Sequence, residues 1–345
     1  MRKTRAFLLG PSGQTNYYHV ISRVAGKYLL FGDDEKETFR HILMRQLKFS
    51  GLRALAWCFM GNHFHLLLEV PDKTASLEGW EDENYITRLQ ILNQEWSTQL
   101  TLKDVQQYRE NGADESIHKI ALQVKERLFD LSMFMKELKM KMTLAYNKVH
   151  DREGTLWQAR FKSVLLESGN ALRAVAAYID LNPIRAGLAQ DPASYRWCSY
   201  AAAVAGIKGT RQALSFAVTG KKNAPWKQVA QEYRCLLFGL GEKRLGGQTA
   251  DGSSQAKAGF TQTQIDDVWQ AGGKMPLEMA LRCRVRYFSD GAVLGGQNFV
   301  DEFFNNKRDQ FGSRRKDGGR KMRGAQWGEL RVLRDLGDGI VRSEA

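Results

Sequence analysis

The chain has 345 residues, 43% hydrophobic and 26% charged, enough for one large core or two modest domains. Its 51 Lys and Arg against 38 Asp and Glu give a formal net charge of +13, which points to a polyanionic partner, nucleic acid first. Four widely spaced cysteines with no C-x-x-C pair argue against a zinc knuckle or disulfide framework and fit a reducing compartment.

No apolar run approaches the roughly 18 residues of a membrane span. The apolar part of "MRKTRAFLLG" is too short for a signal peptide. A cytoplasmic, nucleoid-associated protein with no membrane partner is the expectation.

In chain order, "YYHVISRV" (17–24) alternates and is rich in β-branched and aromatic residues, so it predicts a strand. "DDEKETFRHILMRQLKFSG" opens on acids, repeats apolar residues at helical spacing and closes on Gly51, the pattern of an amphipathic helix. "LRALAWCFM" and "HFHLLLEV" read as strands joined at a Gly-Asn turn, giving β-α-β-β over the first 70 residues. Residues 72–118 are polar and read as an insert of helical fragments and loops. From Ile120 a single long helical pattern runs to His150. "SVLLES" (163–168) is a short strand candidate. "NALRAVAAYIDLNP" reads as a helix with Asn170 as its N-cap, ending near Asn182 because the residue before a proline leaves the α region.

After about residue 200 the texture changes. A helical connection leads into a Gly/Ser-rich linker at 241–259, so 206–259 reads as a connector. Two short helices joined through "SDGAVLGG" then suggest a helix-turn-helix-like unit within a basic region, 260–345. Residues 307–323 carry eight Lys or Arg against two Asp, a net +6, and include Arg314, Arg315 and Lys316. They read as phosphate contacts or as a basic tail without structure.

The stretch "GNHFHLLLEV" places His63 and His65 on one strand face, with Phe64, Leu66 and Leu68 on the other. Two adjacent imidazoles fill a core poorly and hold a metal ion well, although H-x-H alone also describes ordinary histidines. Tyr178 and Asn182 lie four apart on the helical stretch "AAYIDLNP", hence on one face, with Ala174 and Ala177 leaving room around them. The Asn182 carboxamide oxygen is a hard ligand suited to Mg²⁺ or Mn²⁺. Glu69 reads as a solvated strand end and His19 as a satisfied structural histidine. Arg23, Arg160, Lys162 and Arg185 are candidate phosphate contacts. Arg160 and Lys162 flank Trp157 and Phe161, a mix that suits stacking and charge neutralisation on a bound strand.

The His63-Phe64-His65 triplet resembles the His-hydrophobe-His motif of HUH nucleases, and "YIDLNPIRAGL" resembles the tyrosine-bearing helix of IS200/IS605-like single-tyrosine transposases. With "YYHVISRVAGKYLLF", "GNHFHLLLEV" and "GTLWQARFKSVLLES" in that order, residues 15–200 look most like the REP-associated tyrosine transposase branch. The resemblance implies an α+β fold: an antiparallel, ferredoxin-like sheet carrying packed helices, the motif strand central, with a catalytic domain at 1–205 and a smaller, mostly helical C-terminal region. It also implies a single-stranded DNA endonuclease and strand-transferase. Tyr178 would be the nucleophile, His63, His65 and Asn182 would hold a divalent ion, and single-stranded or hairpin DNA would be the substrate. Monomeric and homodimeric forms both fit. A binding protein that keeps the fold without the catalysis is the alternative.

Overall fold

The computed structural model describes residues 13–238, 270, 276–282, 285–311, 313 and 315–334. The linker stretch 241–259 and Arg314 lie outside them.

The alternating and acid-led segments form β1 (Asn16–Arg23), α1 (Asp33–Ser50), β2 (Arg53–Phe59) and β3 (His63–Val70), as expected. The insert is more ordered than its polarity suggests. It contains α2 (Asp82–Leu89), α3 (Trp96–Glu110) and the start of α4 (Asp114–Arg127), which runs beyond it. Tyr85, Ile86, Leu89, Val105, Ala121 and Val124 form a small core there, beside Phe49 of α1.

The expected single helix from Ile120 is instead two, α4 and α5 (Leu131–Val149). Phe129 adopts φ +51°, and the Asp130 carboxylate accepts the Met133 N–H at 2.7 Å, starting the second helix as its N-cap. The Phe129 N–H donates to Ser50 O, and its ring packs on Gly51, which ends α1 at φ +78°. A Cβ on Gly51 would sit 2.3 Å from that ring. Gly51→Ala is therefore expected to destabilise the fold by on the order of 2–4 kcal/mol, strain and overpacking together, read as a lower urea midpoint.

β4 (Lys162–Leu166) leads to α6 (Asn170–Asp180), the tyrosine helix. Its N-cap is Gly169 at φ +82° rather than Asn170. A single turn, Asn182–Arg185, follows, with Pro183 at its start. Helices α7 (Ser199–Val204), α8 (Lys208–Thr219) and α9 (Trp226–Phe238) complete this part. Beyond it come α10 (Leu277–Arg282), α11 (Arg286–Asp290), β5 (Gly291–Gly295), α12 (Gln297–Asn306), β6 (Arg320–Lys321) and β7 (Arg331–Arg334).

The fold is α+β, a seven-stranded sheet in the order β2-β3-β1-β4-β5-β7-β6 with helices packed on it. Pairing is antiparallel throughout β2-β3-β1-β4, but β4 and β5 run parallel, so the sheet is mixed rather than antiparallel. The motif strand β3 lies inside the sheet, second from one edge.

The C-terminal segment departs from the helix-turn-helix-like expectation. The connection "GAVLG" between its helices is β5, whose Ala292 and Val293 are buried on one face of the sheet and Leu294 on the other. Residues 315–323 do not trail away as a tail. Arg315 lies over the Phe304 and Phe311 rings, its side chain donates to Asp317 O and Gly318 O, and β6 pairs with β7. Lys316 is exposed.

Pleat alternation divides the core in two. Phe64, Leu66 and Leu68 bury against α1 and α5, each side chain worth about 1.5–3 kcal/mol when fully buried. Leu67 faces the other side, against α6, α8 and α9. Ala174 and Ala177 are buried, and their small side chains let α6 lie close to β2 and β3. This brings Tyr178 onto the histidine face.

Candidate active site on the histidine face

His63 and His65 project from β3, and their ring centroids are 5.1 Å apart. The Tyr178 ring stands edge-on to His65 at 6.2 Å and to His19 at 6.1 Å. Sequence spacing alone put these residues in two separate motifs; the packing of α6 on the sheet unites them.

His19 reaches the same face through strand register. It pairs with Leu67 while Ile21 pairs with His65, so Tyr17, His19, Ile21 and Arg23 line the histidine side. His19 is fully buried and satisfied, as expected of a structural histidine, but its partners are informative. His19 Nδ1 lies 2.7 Å from the Phe288 carbonyl oxygen, and its Nε2 lies 3.0 Å from His65 Nδ1. Burial is the main reason His19 is pushed down to about 4; the Phe288 bond opposes this and nearby Arg185 assists it. Burial also holds His65 well below the ordinary histidine value, reinforced by His63, His19, Arg185 and Arg23. Both rings are thus neutral at pH 7, the form that can donate a lone pair to a cation. His63 Nδ1 lies 2.7 Å from Asn62 Oδ1.

Tyr178 is only 4% exposed. The Phe288 ring stands edge-on to it at 5.1 Å, and the Arg185 guanidinium lies over its face at 3.8 Å. Arg185 also donates to Tyr178 O at 2.6 Å and to Leu281 O at 2.8 Å. The candidate phosphate contact is thus a cover over the tyrosine, tied to two carbonyls. Five other tyrosines between residues 17 and 200 sit elsewhere. Tyr195 donates its hydroxyl to Phe59 O, Tyr146 stacks on His150, Tyr200 accepts from Arg234, Tyr18 is in the opposite core and Tyr17 packs near Phe216.

Asn182 is buried, and its Nδ2 donates toward Ile179 O at 3.1 Å and Tyr178 O at 3.4 Å. Its Oδ1 takes part in neither bond. Among the described residues no three His, Cys, Asp or Glu side chains gather as a metal cluster. A cation here would rest on two imidazoles and the carboxamide oxygen, a nitrogen and oxygen donor set that suits a small divalent ion.

Arg23 is exposed and pairs in register with His63, at the rim of the site. Lys162 pairs with Ile21 on the same face, and its ammonium bridges to Asp290 of α11 at 2.9 Å. Arg160 is exposed. Trp157 and Phe161 are core residues, with Trp157 donating to Lys139 O, so the expected stacking role for them does not hold. Glu69 is paired with Arg53 rather than simply solvated.

Two residues escaped sequence reasoning. Asp180 is fully buried between Tyr178 and Asn182 and accepts from Ser199 Oγ at 2.7 Å, Tyr200 N at 3.0 Å and Tyr233 Oη at 2.7 Å. Its one signal is an acid inside an otherwise apolar helix stretch. Phe288 contributes a carbonyl and a ring from 110 positions beyond Tyr178, and nothing in the sequence marks it.

No protein-family model matches the chain, and no curated protein matches it. The chain is similar to a solved structure of a REP-associated tyrosine transposase bound to a REP hairpin, at 15% identity and a TM-score of 0.37, covering 60% of this chain and 87% of that one. A likeness that distant leaves the chemistry to be argued from the residues themselves. Among the described residues no helix is long and apolar enough to cross a membrane.

Proposed function

We propose that the chain is a metal-dependent single-stranded DNA endonuclease and strand-transferase that works through Tyr178, with hairpin-forming DNA as substrate. The observation that carries this reading is the placement of the Tyr178 ring beside His65, itself adjacent to His63. Tyr17, Tyr18, Tyr146, Tyr195 and Tyr200 have other partners, and Tyr178 is set against the histidine pair. The formal charge of +13 supports a nucleic-acid partner.

His63, His65 and Asn182 would hold the cation. A divalent ion bound there, Mg²⁺ or Mn²⁺, would withdraw charge from a scissile phosphate. The Tyr178 hydroxyl oxygen would form a bond to phosphorus while the bond from phosphorus to the 3′ oxygen breaks. The phenol proton leaves and the departing 3′ oxygen gains one, giving a 5′-phosphotyrosine and a free 3′-OH. The covalent link conserves the bond energy, so the 3′-OH of another strand reverses the step without a further reactant. Arg23 and Lys162 at the rim, and exposed Arg160, are placed to meet the phosphate backbone. Arg315 and Lys316, far along the sheet, would add phosphate contacts of lesser weight.

The burial of Tyr178 beneath Arg185 and Phe288 favours a second reading, a DNA- or RNA-binding protein without cleavage. Covalent trapping separates the two. End-labelled hairpin oligonucleotides from repeats flanking the gene are mixed with the protein and Mg²⁺ or Mn²⁺, then denatured. A labelled protein band that disappears with EDTA is the expected result. Tight hairpin binding without any such band would establish the silent binder.

A further inference from the structure

We propose that Phe288 O, His19 and His65 form a fixed hydrogen-bond relay that commits His65 to one tautomer, protonated at Nδ1 and bare at Nε2, so that Nε2 is the atom offered to the site. The metal-facing consequence rests on the proposed function; the tautomer itself does not.

A carbonyl oxygen only accepts, so the 2.7 Å contact makes His19 Nδ1 the donor. A neutral imidazole carries one ring proton, so His19 Nε2 is then an acceptor. The 3.0 Å contact between His19 Nε2 and His65 Nδ1 therefore takes its proton from His65. His65 Nε2 is left with its lone pair. The two rings are nearly parallel, at 18° with centroids 5.2 Å apart, and both are buried, so His65 has little freedom to turn over.

The relay explains why the C-terminal segment belongs to this site. Phe288 lies in α11, which packs against β1 and β4 and immediately precedes β5. Its carbonyl anchors His19, its ring contacts Tyr178, and nearby Leu281 O receives Arg185. A segment read from sequence as an appended DNA-binding unit instead sets the orientation of a histidine on β3. His19 is a positioning residue, acting through His65.

The test uses the full-length protein, first without metal. Selective ¹⁵N labelling of histidine and long-range proton–nitrogen correlation spectra assign the tautomer of His65. The expected result is a protonated Nδ1 and a pyridine-like Nε2. A proton on Nε2 would overturn the relay. His19→Phe keeps ring volume but removes donor and acceptor, so the single tautomer signature is expected to be lost. His19→Gln supplies an amide oxygen and an amide NH₂ in the two roles, and is expected to restore it. A His65 signature that is the same in His19→Phe as in wild type overturns the relay as well.

Mn²⁺ affinity, measured by calorimetry without DNA, then tests the consequence. His19→Phe is expected to bind about 10- to 100-fold more weakly than wild type, with His19→Gln within a fewfold of wild type. Equal affinity in all three would overturn the metal-facing role while leaving the tautomer result standing. No Mn²⁺ binding by wild type would count against the proposed metal-dependent function, and the spectra alone would then decide the relay.

Discussion

Tyr178→Phe is expected to abolish the covalent protein–DNA adduct while leaving the protein folded. The ring contacts that hold this side chain, edge-on to His19, His65 and Phe288 and under Arg185, need only the aromatic ring. Phenylalanine preserves them and removes only the hydroxyl proposed as nucleophile. Cleavage of hairpin oligonucleotide is expected to fall by at least about a thousandfold, the scale on which loss of a covalent nucleophile acts. The melting temperature should move by no more than about 2 °C. Tyr195→Phe is the matched control. Its hydroxyl donates to Phe59 O, so its removal should cost about 1 kcal/mol of stability and leave the adduct intact. An adduct that survives Tyr178→Phe and vanishes in another tyrosine variant would reassign the nucleophile.

The candidate site was legible in the sequence where its pattern is local. Strand alternation set His63 and His65 on one face, and the four-residue spacing set Tyr178 with Asn182. The first needs only the geometry of one strand; the second spans the end of α6 and the turn Asn182–Arg185 that follows it. The break at Phe129 was hidden because the apolar spacing continues across it, while the capping aspartate looks like one more surface acid. The C-terminal strand was hidden for a different reason. "GAVLG" is short and flanked by glycines, which read as a turn, and its partner β4 lies more than a hundred residues earlier in a parallel pairing. The contact between His19 and Phe288 spans 269 positions, a distance at which no periodicity carries information. Local pattern named the candidate groups; the shell that surrounds them depended on long-range packing.

That shell includes a second anchor, and Asp180→Ala is expected to show its size. The carboxylate is fully buried, two residues past the tyrosine. It accepts from Ser199, Tyr200 and Tyr233, tying α6 to α7 and α9. Ser199 Oγ in turn accepts the Trp57 N–H, so the link extends to β2. Alanine leaves two hydroxyls and one amide without that acceptor, at an expected cost of about 3 kcal/mol, with reduced adduct formation as α6 loosens. Asp180→Asn keeps an acceptor for Ser199 and Tyr200 and can donate to Tyr233, so it should recover most of the loss. The two replacements also differ from wild type in pH dependence. Burial raises the Asp180 carboxyl to about 6 despite hydrogen bonds from Tyr233, Ser199, Tyr200 and Cys198 that oppose the shift. Between about pH 4 and 6 the folded state then holds a proton that the unfolded chain has released. The contribution of Asp180 to stability is accordingly full below pH 4 and declines as pH rises to 6, by on the order of 3 kcal/mol. Urea denaturation of the metal-free protein at pH 4, 5, 6 and 7 measures this. The stability gap between Asp180→Asn and wild type should shift in favour of the asparagine variant as pH rises through that window. A gap that stays constant would mean that Asp180 is ionised alike in both states and that its bonds outweigh its burial.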